Sequence, residues 1–460
     1  MNRKFIGNTA WLIGGKVFEM AVGLVISMLT ARYLGPANYG LINYVSAFTT
    51  FFICICTLGL LNTMVNELLS RPDRQGEIVG TSIVLRLITS AFSVIAIILL
   101  VWVMNLGDTE RLIVTVLYSL NLIFQSFDVI SYYFQSKLQS WKTAIITMSA
   151  FLVMSAYKVF LLITGKDVRW FAFSVTLDYL FIALLLLIVY KKSGGQKLKV
   201  DWKLGKELVR RSWHFIISGL MVAIYAQSDK IMLSHMIDDT ATGLYTTAAT
   251  ISGMWVFVLG AIIDSARPLL FVQYDEDRPA YKKNMERLYC AVIYLSAAVA
   301  LVFTLFPKFI INIFYGEQYL DAAAPLRVLG WSVIFSYIGV VSNIYLIVEK
   351  KEKYIKFIAF IGAVSNIVLN YFFIGLWGPA GAALATVLTQ VIVNFILMII
   401  VPSLRRNAVM ILNGFNPANL LGIVKLIRHG KSREENGTDA AEKKAENGEI
   451  QNEDKEQKGE

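Results

Sequence analysis

Long apolar stretches follow one another along most of the chain, separated by short polar or glycine-containing connections. A helix that crosses ~30 Å of hydrocarbon needs roughly 20 mostly apolar residues, and the sequence contains twelve continuous stretches of at least this size. Stretches this long and continuously apolar indicate helices, because only helices and closed barrels satisfy their backbone in lipid. The predicted spans are Thr9–Leu34, Gly40–Asn66, Ile78–Asn105, Arg111–Gln135, Thr143–Thr164, Val168–Tyr190, Trp213–Met236, Gly243–Leu269, Leu288–Pro307, Pro325–Val348, Tyr354–Leu376 and Pro379–Val401.

Four of the connections are tight turns marked by glycine. The turn dipeptides are Gly35-Pro36, Gly107-Asp108, Gly165-Lys166 and Gly378-Pro379. Together with the spans, they predict an all-α integral membrane protein of about twelve transmembrane helices.

Composition and charge sharpen this picture. The chain of 460 residues is 56% hydrophobic and 17% charged, whereas an average soluble domain is about 25% charged. The net charge of +10 would suggest nucleic acid in a soluble protein. Here, however, 25 Lys and Arg residues fall in the loops on one side of the predicted helices and six in the loops on the other. The positive-inside rule therefore places the basic side and both termini in the cytoplasm, and predicts no nucleic-acid partner.

The spans divide into two groups of six. Residues 1–190 form a predicted N-terminal lobe and residues 213–406 a C-terminal lobe, joined by a basic cytoplasmic linker at 191–212. The turn after the first span of each lobe aligns without a gap, so that Gly40 corresponds to Gly243. Two parallel six-helix repeats suit a transporter whose substrate site lies between the lobes.

The end of the chain changes in character twice. Residues 407–428 are apolar with polar interruptions and are predicted to lie on the inner membrane surface as an amphipathic segment. Residues 429–460 hold six basic and ten acidic residues and almost no aliphatic ones. They are predicted to be a disordered cytoplasmic tail.

No motif for soluble-type catalysis is present. The sequence contains no phosphate-binding loop, dinucleotide fingerprint or GxSxG motif, and its three cysteines and three histidines lack metal-ligand spacing. The loops are also too short for the catalytic segment of a membrane glycosyltransferase or polymerase. We therefore expect neither an enzyme nor a metal site.

Charged residues within the spans are the candidate functional groups, because burying one costs ~2.5–3.5 kcal/mol on insertion scales unless it faces a wet cavity or a partner. A rise of ~1.5 Å per residue places four of these charges at one depth near the cytoplasmic side. They are Lys16, Glu19, Arg86 and Asp128. Arginine and lysine suit an anionic phosphate, whereas carboxylates suit a coupling ion. The predicted substrate-binding cations are Lys16, Arg86 and Lys158, and the cavity acids are Glu19, Asp128 and Asp178.

Structural alternatives exist for several of these charges. Lys16 and Glu19 are spaced to neutralise each other, as are Asp264 and Arg267. The residues assigned to a gate or to packing are Asp229, Lys230, Asp264 and Arg267.

Several segments resemble the Wzx-type polysaccharide flippases of the MOP exporter superfamily. The likeness covers the membrane domain and rests on ARYLGPANYGLINYV, SDKIMLS, GLYTTAATI, FYGEQYLDAAAPLRVL, and KEKYIKFIAFIGAVSNIVLN with GPAGAALATVLTQ. The resemblance implies a MOP/MATE-like fold and the flipping of an undecaprenyl-diphosphate-linked oligosaccharide by alternating access in the bacterial cytoplasmic membrane.

The same resemblance frames the partners and the alternatives. It implies membrane lipid and a lipid-linked glycan as partners, with glycosyltransferases and a polymerase beside them. No cofactor is expected, apart from H⁺ or Na⁺ as a coupling ion. A MATE-like exporter of small organic cations is the alternative, although the clear cations in the spans favour an anionic substrate. A lipid II flippase and a membrane glycosyltransferase or polymerase are further alternatives.

Overall fold

The computed structural model describes the backbone of residues 3–420 and their side chains except those of residues 3–19, 62, 256–258 and 261. The predicted tail at 429–460 and the end of the predicted interfacial segment lie outside the described residues. The chain forms two compact units. Of the described residues, the first unit comprises those up to 255, 300–333 and 352–393, and the second comprises 256–299, 334–351 and 394–420.

Seventeen α-helices account for most of the described residues, together with short 3₁₀ and π turns. The helices are α1 Arg3–Cys56, α2 Leu60–Ser70, α3 Gln75–Met104, α4 Thr109–Ser119, α5 Asn121–Gln125, α6 Val129–Ser136, α7 Ser140–Ile163, α8 Val168–Lys192, α9 Trp202–Met236, α10 Asp239–Met254, α11 Val256–Glu276, α12 Arg278–Leu305, α13 Pro307–Tyr315, α14 Ala323–Val348, α15 Lys353–Val391, α16 Leu397–Ile400 and α17 Arg405–Gly414.

Two of the long helices, α1 and α15, bend at a glycine that has non-helical backbone angles. Gly35 has φ 75° and ψ 169°, and Gly378 has φ 54° and ψ −129°, each directly before a proline. Gly107 and Gly165 also have positive φ. All four predicted glycine turns therefore take the left-handed backbone that glycine tolerates best.

The helices have the length and surface of membrane spans. Within the described residues, nine helices are long and apolar enough to cross a membrane. Two of them contain the glycine bends, and α10 with α11 covers a further predicted span. Large apolar side chains on these helices face outward, as at Phe92 on α3, which is 66% exposed, and Ile163 on α7, which is 80% exposed. The all-α membrane fold is thus confirmed, whereas the number of spans and the orientation of the termini stay predictions.

Aspartates cap the helices that follow four polar turns. Asp108, Asp167, Asp201 and Asp238 each accept a hydrogen bond from a backbone N–H in the first turn of the next helix. This arrangement satisfies donors that have no partner within the helix. Because Asp201 caps α9, this helix begins well inside the predicted linker, and only residues 193–201 are non-helical there.

Each unit has its own packed interior. In the first unit, α1 packs against α7, α9 and α10, and Tyr44, Ile97 and Val114 belong to one of its apolar clusters. In the second unit, a buried hydrogen-bond network joins α12, α14 and α17. The hydroxyl of Tyr289 donates to Asn407 Oδ1 at 2.8 Å, and the amide of Asn407 donates to Ser342 Oγ at 3.0 Å.

Candidate functional site

A cavity of about 220 Å³ lies among α1, α4, α7 and α8 in the first unit and contains two of the predicted charged residues. Lys158 on α7 and Asp178 on α8 both line it and lie within electrostatic reach of each other. Its other polar side chains are Ser27, Thr30, Tyr39, Asn43, Ser46, Tyr118 and Ser155. The result is a polar cavity with one cation and one carboxylate, enclosed by helices whose outer faces are apolar.

Arg86 and Asp128 form a second charged pair, and neither is among the residues that line this cavity. Arg86 on α3 is 1% exposed, and Asp128 interacts with it electrostatically from the 3₁₀ turn between α5 and α6. The Nε and Nη1 groups of Arg86 have no hydrogen-bond partner among the described side chains. Since such buried donors are costly to leave unpaired, Arg86 retains capacity for an acceptor.

Lys16 and Glu19 both lie on α1, where their side chains are outside the described part of the structure. The predicted cluster of four charges at one depth is therefore described only at Arg86 and Asp128. The substrate role of Lys16 and the ion-coupling role of Glu19 stay predictions.

Asp229 on α9 lies in a buried polar network and is 4% exposed. Its carboxylate accepts hydrogen bonds from the hydroxyl of Tyr245 on α10 and from the amide of Asn370 on α15. Thr386, also on α15, donates to the same carboxylate at 3.0 Å. Among the described side chains, no Lys, Arg or His nitrogen lies within the 4.0 Å ion-pair distance of Asp229. Asp229 is thus part of a buried network in which its described hydrogen-bond donors are neutral side chains, and its role at a gate or in packing stays a prediction.

The three remaining predicted residues differ from Asp229. Lys230 is half-buried and interacts electrostatically with Asp229, although the two side chains are not within ion-pair distance. Asp264 and Arg267 on α11 form an ion pair at 3.1 Å, and their side chains are 68% and 49% exposed. This pairing is the one expected from their spacing. Such an exposed pair contributes little to stability.

Just after its bend at Gly35, α1 crosses the start of α10 in direct backbone contact, on the predicted outer side. A Cβ added at Gly40 would lie 1.7 Å from the carbonyl oxygen of Asp239, and one added at Gly243 would lie 2.0 Å from that of Pro36. Only glycine permits so close a crossing. The two glycines that align in the predicted repeat therefore lie against each other.

An ion pair reinforces this crossing. Arg111 on α4 donates to Asp239 Oδ2 at 2.8 Å, and the two side chains are 13% and 17% exposed. The guanidinium also donates to Ser234 at 3.2 Å and lies 4.9 Å from the ring centroid of Tyr44. Neither Arg111 nor Asp239 was among the functional residues predicted from the sequence. The sequence feature that could have indicated this ion pair is the opposite charge of Arg111 and of Asp238-Asp239, which lie at two short turns on the same predicted side of the membrane.

The segment after α13 packs against α1 next to the same bend. Tyr319 donates from its hydroxyl to the carbonyl oxygen of Ala31 at 2.9 Å, and Gln318 donates to that of Arg32 at 2.6 Å. Arg32 in turn donates to the carbonyl oxygen of Ile313. We call the contacts of Gly40 with Gly243, Arg111 with Asp239 and Tyr319 with Ala31 the outer gate.

Fold and site together define a multi-pass α-helical membrane protein with an internal polar cavity. A sequence profile of the family described as "polysaccharide biosynthesis protein" matches residues 5–273. This match covers more than half of the chain, which therefore belongs to that family. An uncharacterised membrane protein of Methanocaldococcus jannaschii is 25% identical over 230 residues, which are 47% of this chain and 45% of the relative. The match thus spans about half the length of that relative.

Solved structures of the MOP superfamily share the fold. The lipid II flippase MurJ in an inward closed conformation superposes with a TM-score of 0.69 at 15% identity, covering 91% of this chain and 93% of MurJ. An inward-facing multidrug resistance MATE transporter gives a TM-score of 0.62 at 15% identity, covering 86% and 93%. A MOP transporter from Pyrococcus furiosus gives 0.57 at 13% identity, covering 89% and 94%. At these identities the likeness shows the fold alone and confirms the MOP/MATE-like architecture.

Proposed function

We propose that the protein is a flippase that carries a polyprenyl-diphosphate-linked oligosaccharide from the inner to the outer leaflet of the cytoplasmic membrane. It moves the substrate by alternating access without changing it chemically. In a bacterium the carrier is undecaprenyl diphosphate and the cargo an O-antigen, capsule, exopolysaccharide or teichuronic-type repeat unit. Glycosyltransferases then supply the substrate and a polymerase consumes it. Membership of the polysaccharide biosynthesis protein family supports a glycan as the cargo.

The observation that carries the proposal is the position of Lys158 in a polar cavity inside an apolar helix bundle. Placing an ionised side chain at such a depth costs ~2.5–3.5 kcal/mol on insertion scales, so the presence of Lys158 calls for a function. A diphosphate cannot cross hydrocarbon unaided, and a fixed cation lowers that barrier. The neighbouring hydroxyl and amide groups suit sugar hydroxyls, while Asp178 balances the cation when the substrate is absent.

The size of the cavity fits a closed stage of the cycle. Its volume of about 220 Å³ is below the roughly 300–1,000 Å³ of typical small-molecule sites. It holds a phosphate group or one sugar ring, and a longer glycan requires it to widen. The outer gate closes one route to it, and release of the substrate outward requires these contacts to separate. Lys16 and Arg86 remain the candidate cations for entry from the cytoplasmic side.

Asp229 is the group that we assign to ion coupling. The buried carboxylate is surrounded by side-chain oxygens and amides from α9, α10 and α15, and Asn370 Oδ1 is buried without a partner among the described residues. Hard cations favour oxygen ligands of this kind. A Na⁺ ion held by Asp229, Asn370 and Thr386, or a proton on Asp229, would neutralise its charge. Asp178, one of the three cavity acids predicted from the sequence together with Glu19 and Asp128, then serves the substrate cavity.

Transport in proteoliposomes tests the function. The full-length protein is reconstituted with a fluorescent short-chain polyprenyl-diphosphate disaccharide, and flipping is followed as protection from a membrane-impermeant quencher. We expect Lys158→Ala to slow flipping about tenfold, the loss of one charge-assisted hydrogen bond. The matched control is Lys166→Ala, which removes an exposed lysine beyond the end of the same helix.

The outcomes separate the alternatives. If Lys158→Ala flips the substrate as fast as wild type, the cavity assignment is wrong. Export of small organic cations without flipping of the lipid-linked sugar would contradict the flippase function and support a MATE-like exporter. Flipping of lipid II in preference to the disaccharide substrate would narrow the cargo to that lipid.

A further inference from the structure

A cavity of about 390 Å³ in the second unit has a different chemistry from the substrate cavity. Arg278 and Lys282 enter it from the start of α12, Glu349 from just after α14, and Arg406 from the start of α17. Tyr281 lines it as well. The distribution of basic residues assigns all of these segments to the cytoplasmic side of the membrane.

The single carboxylate in this cavity already has a dedicated partner. Glu349 has a side chain only 10% exposed, and its nearest cation is Lys351, with Nζ at 3.5 Å. Lys351 is fixed there because it also donates to the hydroxyl of Tyr345 at 2.8 Å and to the carbonyl oxygen of Ser403 at 2.9 Å. One lysine therefore balances Glu349.

The other three cations are in excess. The guanidinium groups of Arg278 and Arg406 lie 3.9 and 4.0 Å from Glu349, at the limit of an ion-pair contact, and remain 56% and 72% exposed. Lys282 is exposed too and forms no ion pair among the described residues. Arg278 also stacks on the ring of Tyr274, 3.4 Å from its centroid, a contact that leaves its charge unbalanced. Three cations in excess of a neutralised carboxylate make a site for an anion.

Tyr281 supplies an independent sign of a missing partner. The residue is 3% exposed, yet its hydroxyl is buried and has no hydrogen-bond partner among the described residues. A buried hydroxyl normally finds an acceptor in a protein group, a water or a ligand. An anionic oxygen in the cavity would accept a hydrogen bond from it.

We propose that this cavity binds a phosphate group, held by Arg278, Arg406 and Lys282 and by a hydrogen bond from Tyr281. The forked guanidinium groups match phosphate oxygens, and the volume suits a headgroup. We expect an anionic membrane phospholipid to supply this phosphate group, because α17 carries Arg405 and Arg406 together with the exposed apolar residues Val409 and Leu412. A helix of this kind lies at a lipid interface. Soluble phosphate is the second source of the same chemistry.

Thermal unfolding of the detergent-purified full-length protein tests the site. The unfolding temperature is measured during titration with dioctanoyl phosphatidylglycerol, inorganic phosphate, or zwitterionic dioctanoyl phosphatidylcholine. We expect saturable stabilisation by phosphatidylglycerol and none by phosphatidylcholine. Tyr281→Phe removes one hydrogen bond and should weaken the apparent affinity about tenfold, while the combined variant Arg278→Ala and Arg406→Ala should abolish saturation.

The control variant combines Lys203→Ala with Lys206→Ala, which removes two exposed positive charges from α9 and should retain wild-type saturation. Saturation by inorganic phosphate alone, lost in the same variants, supports the phosphate site and identifies the soluble source. The proposal is overturned if neither phosphatidylglycerol nor inorganic phosphate gives saturable stabilisation. It is also overturned if the arginine variant responds like the lysine control.

Discussion

Gly40 and Gly243 lie against each other where the second part of α1 crosses α10. Their added Cβ atoms would fall 1.7 and 2.0 Å from backbone oxygens of the opposite segment, which is shorter than any non-bonded contact. Both positions therefore require glycine, and for the same reason. The gapless alignment of these two residues in the sequence corresponds to a contact between equivalent turns of the two predicted lobes.

Replacing either glycine by alanine should force the crossing apart. Overpacking of this kind typically costs ~1–3 kcal/mol, so Gly40→Ala and Gly243→Ala should increase the population in which the outer gate is open. Distances between spin labels at the exposed positions Asn38 and His235 report this opening, after the three native cysteines are replaced by alanine. Gly253→Ala is the control, because its Cβ would have no atom within 4 Å. Unchanged distances in Gly40→Ala would contradict the gate.

Much of the fold follows from local sequence. The apolar runs predict the helices, and Gly35 and Gly378 mark their bends because the backbone angles required there are local properties of glycine. The breaks within predicted spans were harder to foresee. Residues 57–59 and 126–128 interrupt two predicted spans, and the few polar residues there, such as Asp128, do not mark a break by themselves.

The candidate site was predictable only in part. The sequence predicted Lys158 as a cation and Asp178 as an acid without joining them, because counting along one helix does not reveal which faces of two helices meet. The structure joins them in one cavity. The pairing of Arg111 with Asp239 was invisible for a similar reason, since these residues lie 128 positions apart and belong to different predicted lobes.

Arg111 should hold the outer gate closed through its charge-assisted hydrogen bond to Asp239. Such a bond is worth about 1.5–3 kcal/mol, so Arg111→Ala should raise the open population by tenfold or more. Arg111→Lys keeps the charge but loses the fork and should give an intermediate effect. The spin labels at Asn38 and His235 provide the measurement. Equal distance distributions in Arg111→Ala and wild type would show that the ion pair does not act as a latch.

Acidification should favour the closed gate. Burial raises the pKa of Asp239 above its ordinary value of about 3.9, although the hydrogen bond from Ser234 and the charge of Arg111 oppose the shift. Asp108 and Asp238 add to the rise. Because the closed contact raises this pKa, it binds a proton more tightly than an open gate whose carboxylate is in water. The closed state is therefore stabilised relative to the open state at low pH, and this stabilisation is lost as the pH rises through the raised pKa of Asp239.

The same pair of spin labels tests this pH dependence between pH 4 and pH 7. The open population should fall as the pH is lowered, and Asp239→Asn should remove most of the dependence. An open population that increases on acidification would mean that protonation simply breaks the ion pair with Arg111.

Gly35 should tolerate no other residue without strain. Its φ of 75° and ψ of 169° lie in a region that is essentially restricted to glycine and costs other residues ~1–3 kcal/mol. Gly35→Ala should therefore lower the unfolding temperature of the purified protein. Gly375→Ala is the matched control, because its Cβ would meet no atom within 4 Å and its φ is not positive. Equal stability of the two variants would show that the bend relaxes at little cost.

Asp229→Asn separates packing from ion coupling, because the amide keeps the shape of the carboxylate while removing its charge. The hydrogen bond from Thr386, 3.0 Å long in the wild type, can still be made to the amide oxygen, so the variant should remain folded. Flipping in proteoliposomes should then no longer respond to an imposed Na⁺ or pH gradient, whereas wild type responds to one of the two. Asp264→Asn, which alters an exposed carboxylate, should respond like wild type. If Asp229→Asn keeps the full gradient response, the network on α9, α10 and α15 serves packing alone, and the driving force must act at another carboxylate such as Asp178.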